Sequence, residues 1–484
     1  MNSDERPVHI FFDAIHKTIS FEDEDLKNKI KPIIDSPLFQ RLKGIKQLGF
    51  SDMVFPTAVH SRFSHSLGAA HLCWKILKNT SLTNSETQEK AHLVVIATLI
   101  HDIGHGPFSH AFEAFVKSCL GFKVRHEDWT RKFIEEGTKK HGWKLDRNDS
   151  KFIEELVLSS KNIKKEKERR ERYGVYADIV SSQLDADRLD YLLRDSYFCG
   201  VEYGSYDLEW LLSTLQIYRP NSSHKGSRLA VGHKGIGAVE NFLMNRRLMT
   251  QNIYFHKTVK AFEHLFECLL KELWRNLSDE TTGETTGALI SSRLSEFMKK
   301  LPKPRKNGVE LNDSKDGKGV DRFVDKSFKQ YADLCDYDFW FSIRALGASK
   351  SNRINPDLKY LASCFYYRKP PFMIPIGIDH ILADNYVKHM SEKEWRIKVV
   401  PLDFEIYDVA KDPIIVLDEA NRPREIVDVS DVVRKLGGSI EPKYYLLIDR
   451  QYSKLHIKDV IEMLTKIKCS REYIKKLRDR MQAE

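Results

Sequence analysis

LVVIATLIHDIGHGPFSHAF, residues 93–112, joins an unbroken apolar run to three histidines and an aspartate set around two glycines and a proline. The run predicts a buried helix with His101 and Asp102 at its end, where buried polar groups need partners. Gly104, Gly106 and Pro107 break that helix and turn the chain, so a second helix begins near His110. For any one of these histidines a hydrogen-bonded helix end is the ordinary reading. Residues distant in sequence shift the balance toward a metal site: "HSRFSHSLGAAH" places His65 just inside another helix, and "QLDADRLDYLLRD" supplies Asp187. Two imidazoles with two carboxylates and no nearby cysteine suit Fe, Mn, Zn or Ni rather than a structural zinc.

The rest of the chain reads as a large helical protein with a smaller mixed lobe. Its 484 residues are 41% hydrophobic, enough for sizeable buried cores, and 78 Lys+Arg against 69 Asp+Glu give a modest net charge of +9. A basic balance suits anionic ligands such as nucleotides or nucleic acid. The apolar run falls far short of the roughly 20 residues of a membrane-spanning helix. The N-terminus lacks the order of charges and apolar residues found in a signal peptide, so a cytoplasmic location is expected. Seven scattered cysteines with no CxxC spacing read as reduced, buried thiols.

Residues 1–290 read as one helical domain, including an unbroken stretch 239–274 that predicts one long helix or two in line. The dense charge run 161–174 reads chiefly as a solvated helix or mobile insertion. Residues 291–354 read as a connecting region with a flexible surface loop over 301–322. From 355 to 484, short β-favouring runs ("WRIKVVPL", "PIIVLD", "KYYLLID") and a basic helix over 456–482 predict a mixed α/β (α+β) lobe. The expected fold class is therefore mainly α.

Helix geometry adds a ligand-sized surface. Asp187, Tyr191 and Asp195 at i, i+4 and i+8 drift only about 80° around a helix while rising about 12 Å along it. One face thus presents a carboxylate, an aromatic platform and an acceptor. Arg246 and Lys257, eleven residues apart, would lie only about 20° apart on one continuous helix.

These residues are also where the sequence resembles a family. The order His65, His101–Asp102, Asp187 resembles the HD superfamily of metal-dependent phosphohydrolases. With "DSPLFQRLKGIKQLGF", "FPTAVHSRFSHSLG", "RHEDW" and "DADRLDYLLRD", it is similar to the SAM-and-HD-domain deoxynucleoside triphosphate triphosphohydrolases over about residues 7–280, without room for the SAM domain. The resemblance implies an HD-domain helical core and hydrolysis of dNTPs to deoxynucleoside and inorganic triphosphate, by metal-activated water at the α-phosphorus. It implies His65, His101, Asp102 and Asp187 as metal ligands and His110 as the acid at the leaving oxygen, with Glu113 fixing its tautomer. His105, His126 and Glu127 would line the metal centre, orienting water or supporting a second cation, with magnesium accompanying the triphosphate. Gln47, Leu48, Tyr191, Asp195 and Tyr254 would bind the sugar and base end, the tyrosine excluding a 2′-hydroxyl. Arg62, Arg188 and Arg246 would meet the phosphates.

A regulatory nucleotide pocket and a dimer or tetramer are further implications. Asp35 matches a guanine-reading aspartate there, but Lys43 stands in place of its arginine and His9 and Phe12 replace other pocket residues. Guanine-nucleotide activation is therefore not expected, and another nucleotide or a partner would regulate. The biological use implied is pool balance or antiviral defence. Two other readings stay open: an HD-type phosphodiesterase or nuclease acting on nucleic acid or cyclic nucleotides, and a nucleotide-sensing binding protein.

Overall fold

The helices that carry the site or pack around it are α1 (Arg62–Asn79), α2 (Gln88–Ile100), α3 (His110–Leu120), α4 (His126–Lys140), α5 (Ile163–Tyr173), α6 (Ala186–Cys199), α7 (Ile236–Met249), α8 (Lys257–Leu277), α9 (Lys318–Ala332) and α10 (Asp336–Ala348). They come from a computed structural model that describes residues 10–158, 163–220, 226–279, 281–304, 318–376, 380–390, 396–402, 412–436, 443–467 and 469–483. The protein is mainly α, with small sheets.

The apolar run forms α2, in which every residue from Ala91 to Ile100 is buried, as a helix hydrophobic all round requires. α1 packs against both α2 and α6, which brings His65, the end of α2 and Asp187 to one place. Local chemistry fixes the two flanking starts. Ser61 caps α1 by accepting the Ser64 N–H, and Asp185 caps α6 by accepting the Arg188 N–H. α1 approaches α6 closely because residue 68 is glycine: a Cβ there would lie 2.0 Å from Asp190 Oδ1.

The stretch 239–274 forms two helices. α7 ends in a π-turn at Thr250–Tyr254, and α8 restarts with His256 as its cap, the side chain accepting the Thr258 N–H. Arg246 and Lys257 therefore do not share a continuous helical face. Residues 291–354, expected to connect domains, supply α9 and α10 to the main core through Phe328, Tyr331, Phe339 and Ile343. Tyr331 stacks on Trp129 with centroids 3.7 Å apart. Most of the expected loop, 305–317, lies outside the described residues.

The charge run is mostly exposed over residues 163–173, with one buried charged side. It forms α5, where Glu166, Arg169 and Arg170 are buried. Arg170 pairs with Glu166, Asp178 and Asp412, tying α5 to the main body through charges matched inside the fold.

The three β-favouring runs are strands, but they serve two sheets. Ile415–Leu417 and Pro423–Glu425 join Leu215–Tyr218 and Arg228–Gly232 in a four-stranded sheet. Ile397–Leu402 and Lys443–Ile448 join Phe372–Pro375 in a three-stranded sheet, Lys443–Ile448 at its centre. A second core covers this sheet, and the basic segment packs into it as two helices, Ile457–Lys466 and Arg471–Ala483. Among the described residues no helix is long and apolar enough to cross a membrane, and no cysteine is in a disulfide.

Candidate metal centre

His65 Nε2, His101 Nε2, Asp187 Oδ1 and the Asp102 carboxylate converge. His65 Nε2 lies 3.1 Å from Asp187 Oδ1, 3.4 Å from His101 Nε2 and 3.7 Å from Asp102 Oδ2. His101 Nε2 lies 3.4 Å from both Asp187 Oδ1 and Asp102 Oδ1. Donor atoms about 2.0–2.2 Å from one shared ion stand roughly 3.0–3.6 Å from one another, so this spacing fits a divalent cation.

The tautomers fit as well. His65 Nδ1 donates to Asp190 Oδ2 at 2.8 Å, and His101 Nδ1 donates to the Thr98 carbonyl at 2.6 Å. Each ring then turns an Nε2 lone pair toward the carboxylates, the arrangement that outer partners impose on metal-binding histidines. Charge agrees: burial opposes a charged His65, but Asp187 and Asp190 outweigh it and push the imidazole up to about 10. Burial would raise Asp187, and His101 and His65 hold it well below the usual carboxylate range instead. The cluster demands positive charge, which a metal ion would supply in place of protons.

Asp190 is not among the residues that the sequence singles out. It is fully buried and also receives His16 Nε2 at 2.6 Å and Arg194 Nε at 2.7 Å. Its spacing from Asp187, i+3 on one helix, is the signal that could have found it.

A second cluster adjoins the first. The His105 and His126 rings stack 3.9 Å apart, and His105 Nε2 is 3.3 Å from Asp102 Oδ1. Burial, with Arg62 and His126 nearby, holds His105 well below its ordinary value, so it is neutral. Burial also lowers His126, but Glu113, Glu127 and Asp102 outweigh it and raise the group. Glu113 differs from the expected partner of His110: its Oε1 accepts from His126 Nδ1 at 3.0 Å, while Oε2 is 3.8 Å from His110 Nδ1. The helix start swings His110 outward, leaving its side chain 76% exposed at the cavity. Glu127 Oε2 lies 3.5 Å from His126 Nδ1.

His101, Asp102 and Asp187 of the first cluster and His105, His110, His126 and Glu127 of the second line a cavity of about 640 Å³, with His65 buried behind it. Gln47, Leu48, Arg62, Arg188, Tyr191, Asp195 and Tyr254 line it too. Several make different contacts from those expected. Arg62 is bonded to Asp102 and donates to Ser109 Oγ at 3.1 and 2.7 Å, so within the fold it holds a carboxylate of the first cluster. Arg188 is held by Asp185 and by the Ser182 carbonyl at 2.6 Å, while its buried Nε has no partner among the described residues. Arg246 is absent from the cavity wall and donates to Gln183 Oε1 at 2.6 Å. Asp195 accepts from His60 Nε2 at 2.8 Å and from the Tyr254 hydroxyl at 2.7 Å. Gln47 Oε1, by contrast, is buried and unpartnered among the described residues. Asp35 and Lys43 are exposed and off this cavity, Lys43 Nζ lying 4.6 Å from the Phe63 ring centroid. His9 is outside the described residues and Phe12 is 90% exposed.

The chain is similar to known proteins in sequence and in fold. The HD domain family model matches residues 62–195. The chain is 33% identical over 272 residues to an uncharacterized protein of Bacillus subtilis, covering 56% of this chain and 57% of that one. It is 39% identical over 203 residues to the deoxynucleoside triphosphate triphosphohydrolase SAMHD1 homolog of Dictyostelium discoideum, covering 41% of this chain and 38% of that one. The chain thus spans about half the length, or less, of these curated relatives. A crystal structure of a phosphohydrolase from Bacteroides thetaiotaomicron superposes with a TM-score of 0.68 at 27% identity, over 91% of this chain and 99% of that one. The segment that matches the HD domain model contains the histidine–aspartate pair at residues 101 and 102, together with His65 and Asp187.

Proposed function

We propose that the protein hydrolyses deoxynucleoside triphosphates to deoxynucleoside and inorganic triphosphate. The observation that carries this reading is the continuity of one cavity, from the four-ligand cluster past Arg188 and His110 to Tyr191, Asp195 and the unpartnered Gln47 carbonyl. A divalent ion held by His65, His101, Asp102 and Asp187 would supply Lewis-acid polarisation of phosphate and acidify water.

The chain's own residues do the rest. His110, exposed at the cavity, is placed to give a proton to the departing 5′-oxygen. His105 and His126, one neutral and one raised, orient water beside Asp102, with Glu113 holding His126. Arg188 and Gln47 line the cavity, and a turn of each side chain would bring the unpartnered Arg188 Nε to a phosphate and the unpartnered Gln47 Oε1 to a sugar hydroxyl. Tyr191 closes the wall beside the sugar, which favours a substrate lacking the 2′-hydroxyl. Kinship with a protein named as a dNTP triphosphohydrolase supports the substrate class.

Incubation of metal-loaded protein with each dNTP and NTP, and with single-stranded DNA and RNA, tests the reading. Deoxynucleoside plus intact triphosphate is the expected product pair. Nucleoside monophosphates released from polymer would instead establish a nuclease.

A further inference from the structure

We propose that Asp336, on a helix beyond the HD domain, is a positioning residue that fixes the sugar-side wall of the cavity relative to the loop after the HD pair. Its two carboxylate oxygens are divided between the two segments: Oδ1 accepts the Phe108 N–H at 3.0 Å and Oδ2 accepts the Lys46 N–H at 3.0 Å. Phe108 precedes Ser109 and His110, and Lys46 precedes Gln47 and Leu48. A single side chain, 1% exposed, thus ties both lips of the site to the start of α10.

The backbone around each contact shows why a clamp is needed there. Segment 45–47 is paired on its other side with the segment carrying His60 and Arg62: Gln47 N–H reaches the His60 carbonyl at 3.0 Å and Arg62 N–H the Ile45 carbonyl at 2.9 Å. Lys46 N–H points the opposite way, as alternate residues of an extended segment do, and Asp336 takes the place of a neighbouring strand. In the loop, Phe108 and Ser109 adopt φ of 51° and 52° in succession, a conformation that non-glycine residues hold only when their surroundings over-determine it. Arg41 grips the same loop at the Ile103 and His105 carbonyls, each at 3.0 Å, and Tyr331 at the Gly104 carbonyl at 2.7 Å. Arg41, five residues before Lys46, also links the two segments, but Asp336 alone of the three side chains accepts a backbone N–H from each of them. Burial pushes its carboxyl up to about 6 in spite of both amide donors and the charges of Lys46 and Arg62. A carboxyl is thus kept buried, against the cost of burial, where it accepts from both segments.

The effect on substrate rests on the dNTP reading, but the clamp is measurable without it. Asp336→Asn keeps the shape and leaves one acceptor for two N–H groups. In the full metal-loaded protein, amide hydrogen exchange in peptides spanning 44–48 and 106–110 is expected to quicken at least tenfold. The ratio of kcat/KM for dATP to that for ATP is expected to fall at least fivefold with metal content unchanged. An inactive fraction cancels from that ratio, so a merely structural role would not move it. Unchanged exchange in both segments, or a ratio within twofold of the parent, overturns the proposal. If Asp336→Asn fails to fold, Asp336→Glu replaces it: its longer arm keeps both acceptors but spreads the lips, so the ratio should fall with protection retained, and an unchanged ratio overturns the proposal. Parent protein that hydrolyses neither nucleotide refutes the substrate reading and leaves the exchange measurement to decide the clamp.

Discussion

The four-ligand end of the cavity and the wall formed by Gln47, Tyr191 and Tyr254 are partnered in different ways. At the metal end, His65 is backed by Asp190, His101 by the Thr98 carbonyl and Asp102 by Arg62. These side chains are oriented by the fold itself, so a bound ion would not have to order them. At the far end, Asp195 is already occupied by His60 and Tyr254, and Gln47 keeps a buried carbonyl with no partner among the described residues. One end is built to hold charge; the other keeps one acceptor open and relies on shape. On the proposed reading, the difference would separate chemistry from selectivity within a single cavity.

The comparison can be broken most directly at the metal end. The double variant His101→Ala, Asp102→Ala is expected to lose its metal and roughly a thousandfold or more of turnover, read by metal analysis and by triphosphate release. Parent-level activity would remove the metal cluster from the mechanism. A smaller effect probes the outer partners. Asp190→Asn is expected to weaken metal affinity about 10–100-fold, measured by titrating activity with metal in chelating buffer. Unaltered affinity would show that the Asp190 bond to His65 does not orient the ligand.

At the far end, Gln47→Ala is expected to raise KM for a dNTP about tenfold while metal content and kcat change little, because one hydrogen bond to substrate is lost. An equal fall in metal content would erase the distinction between the ends. The smallest effect concerns the bridge between them. Asp336 has a raised carboxyl, so its contribution to stability is full below its ordinary range near pH 4 and is lost as pH rises through about 6. The stability of Asp336→Asn relative to the parent should therefore rise by up to about 3 kcal/mol between pH 4 and 7, measured by urea unfolding. A flat difference would mean that Asp336 ionises like an exposed carboxyl.

α2 and its polar end were legible because the signal is local: ten consecutive buried residues leave no polar face, and glycine and proline mark the turn. The same holds for α6, whose spacing set Asp187, Tyr191 and Asp195 along one cavity wall. The charge run 161–174 was less legible, since periodicity does not reveal that Asp178 and Asp412 wait to neutralise Arg170. Nor did the Gly- and Pro-free stretch 239–274 announce the π-turn that separates Arg246 from Lys257.

By itself the sequence determined the kinds of side chain that meet in the His–Asp cluster, their order and the helices that carry them, because these follow from residue chemistry and short-range periodicity. Only the tertiary structure decided which side chain holds which. Asp190 reaches His65 across 125 positions, and Asp336 reaches Lys46 across 290. Tertiary structure likewise engaged Arg62 with Asp102, gave Asp195 to His60 and Tyr254, and left Gln47 open. Buried polar groups must be satisfied by whatever the packing brings near, and that is a property of the assembled helices rather than of any segment.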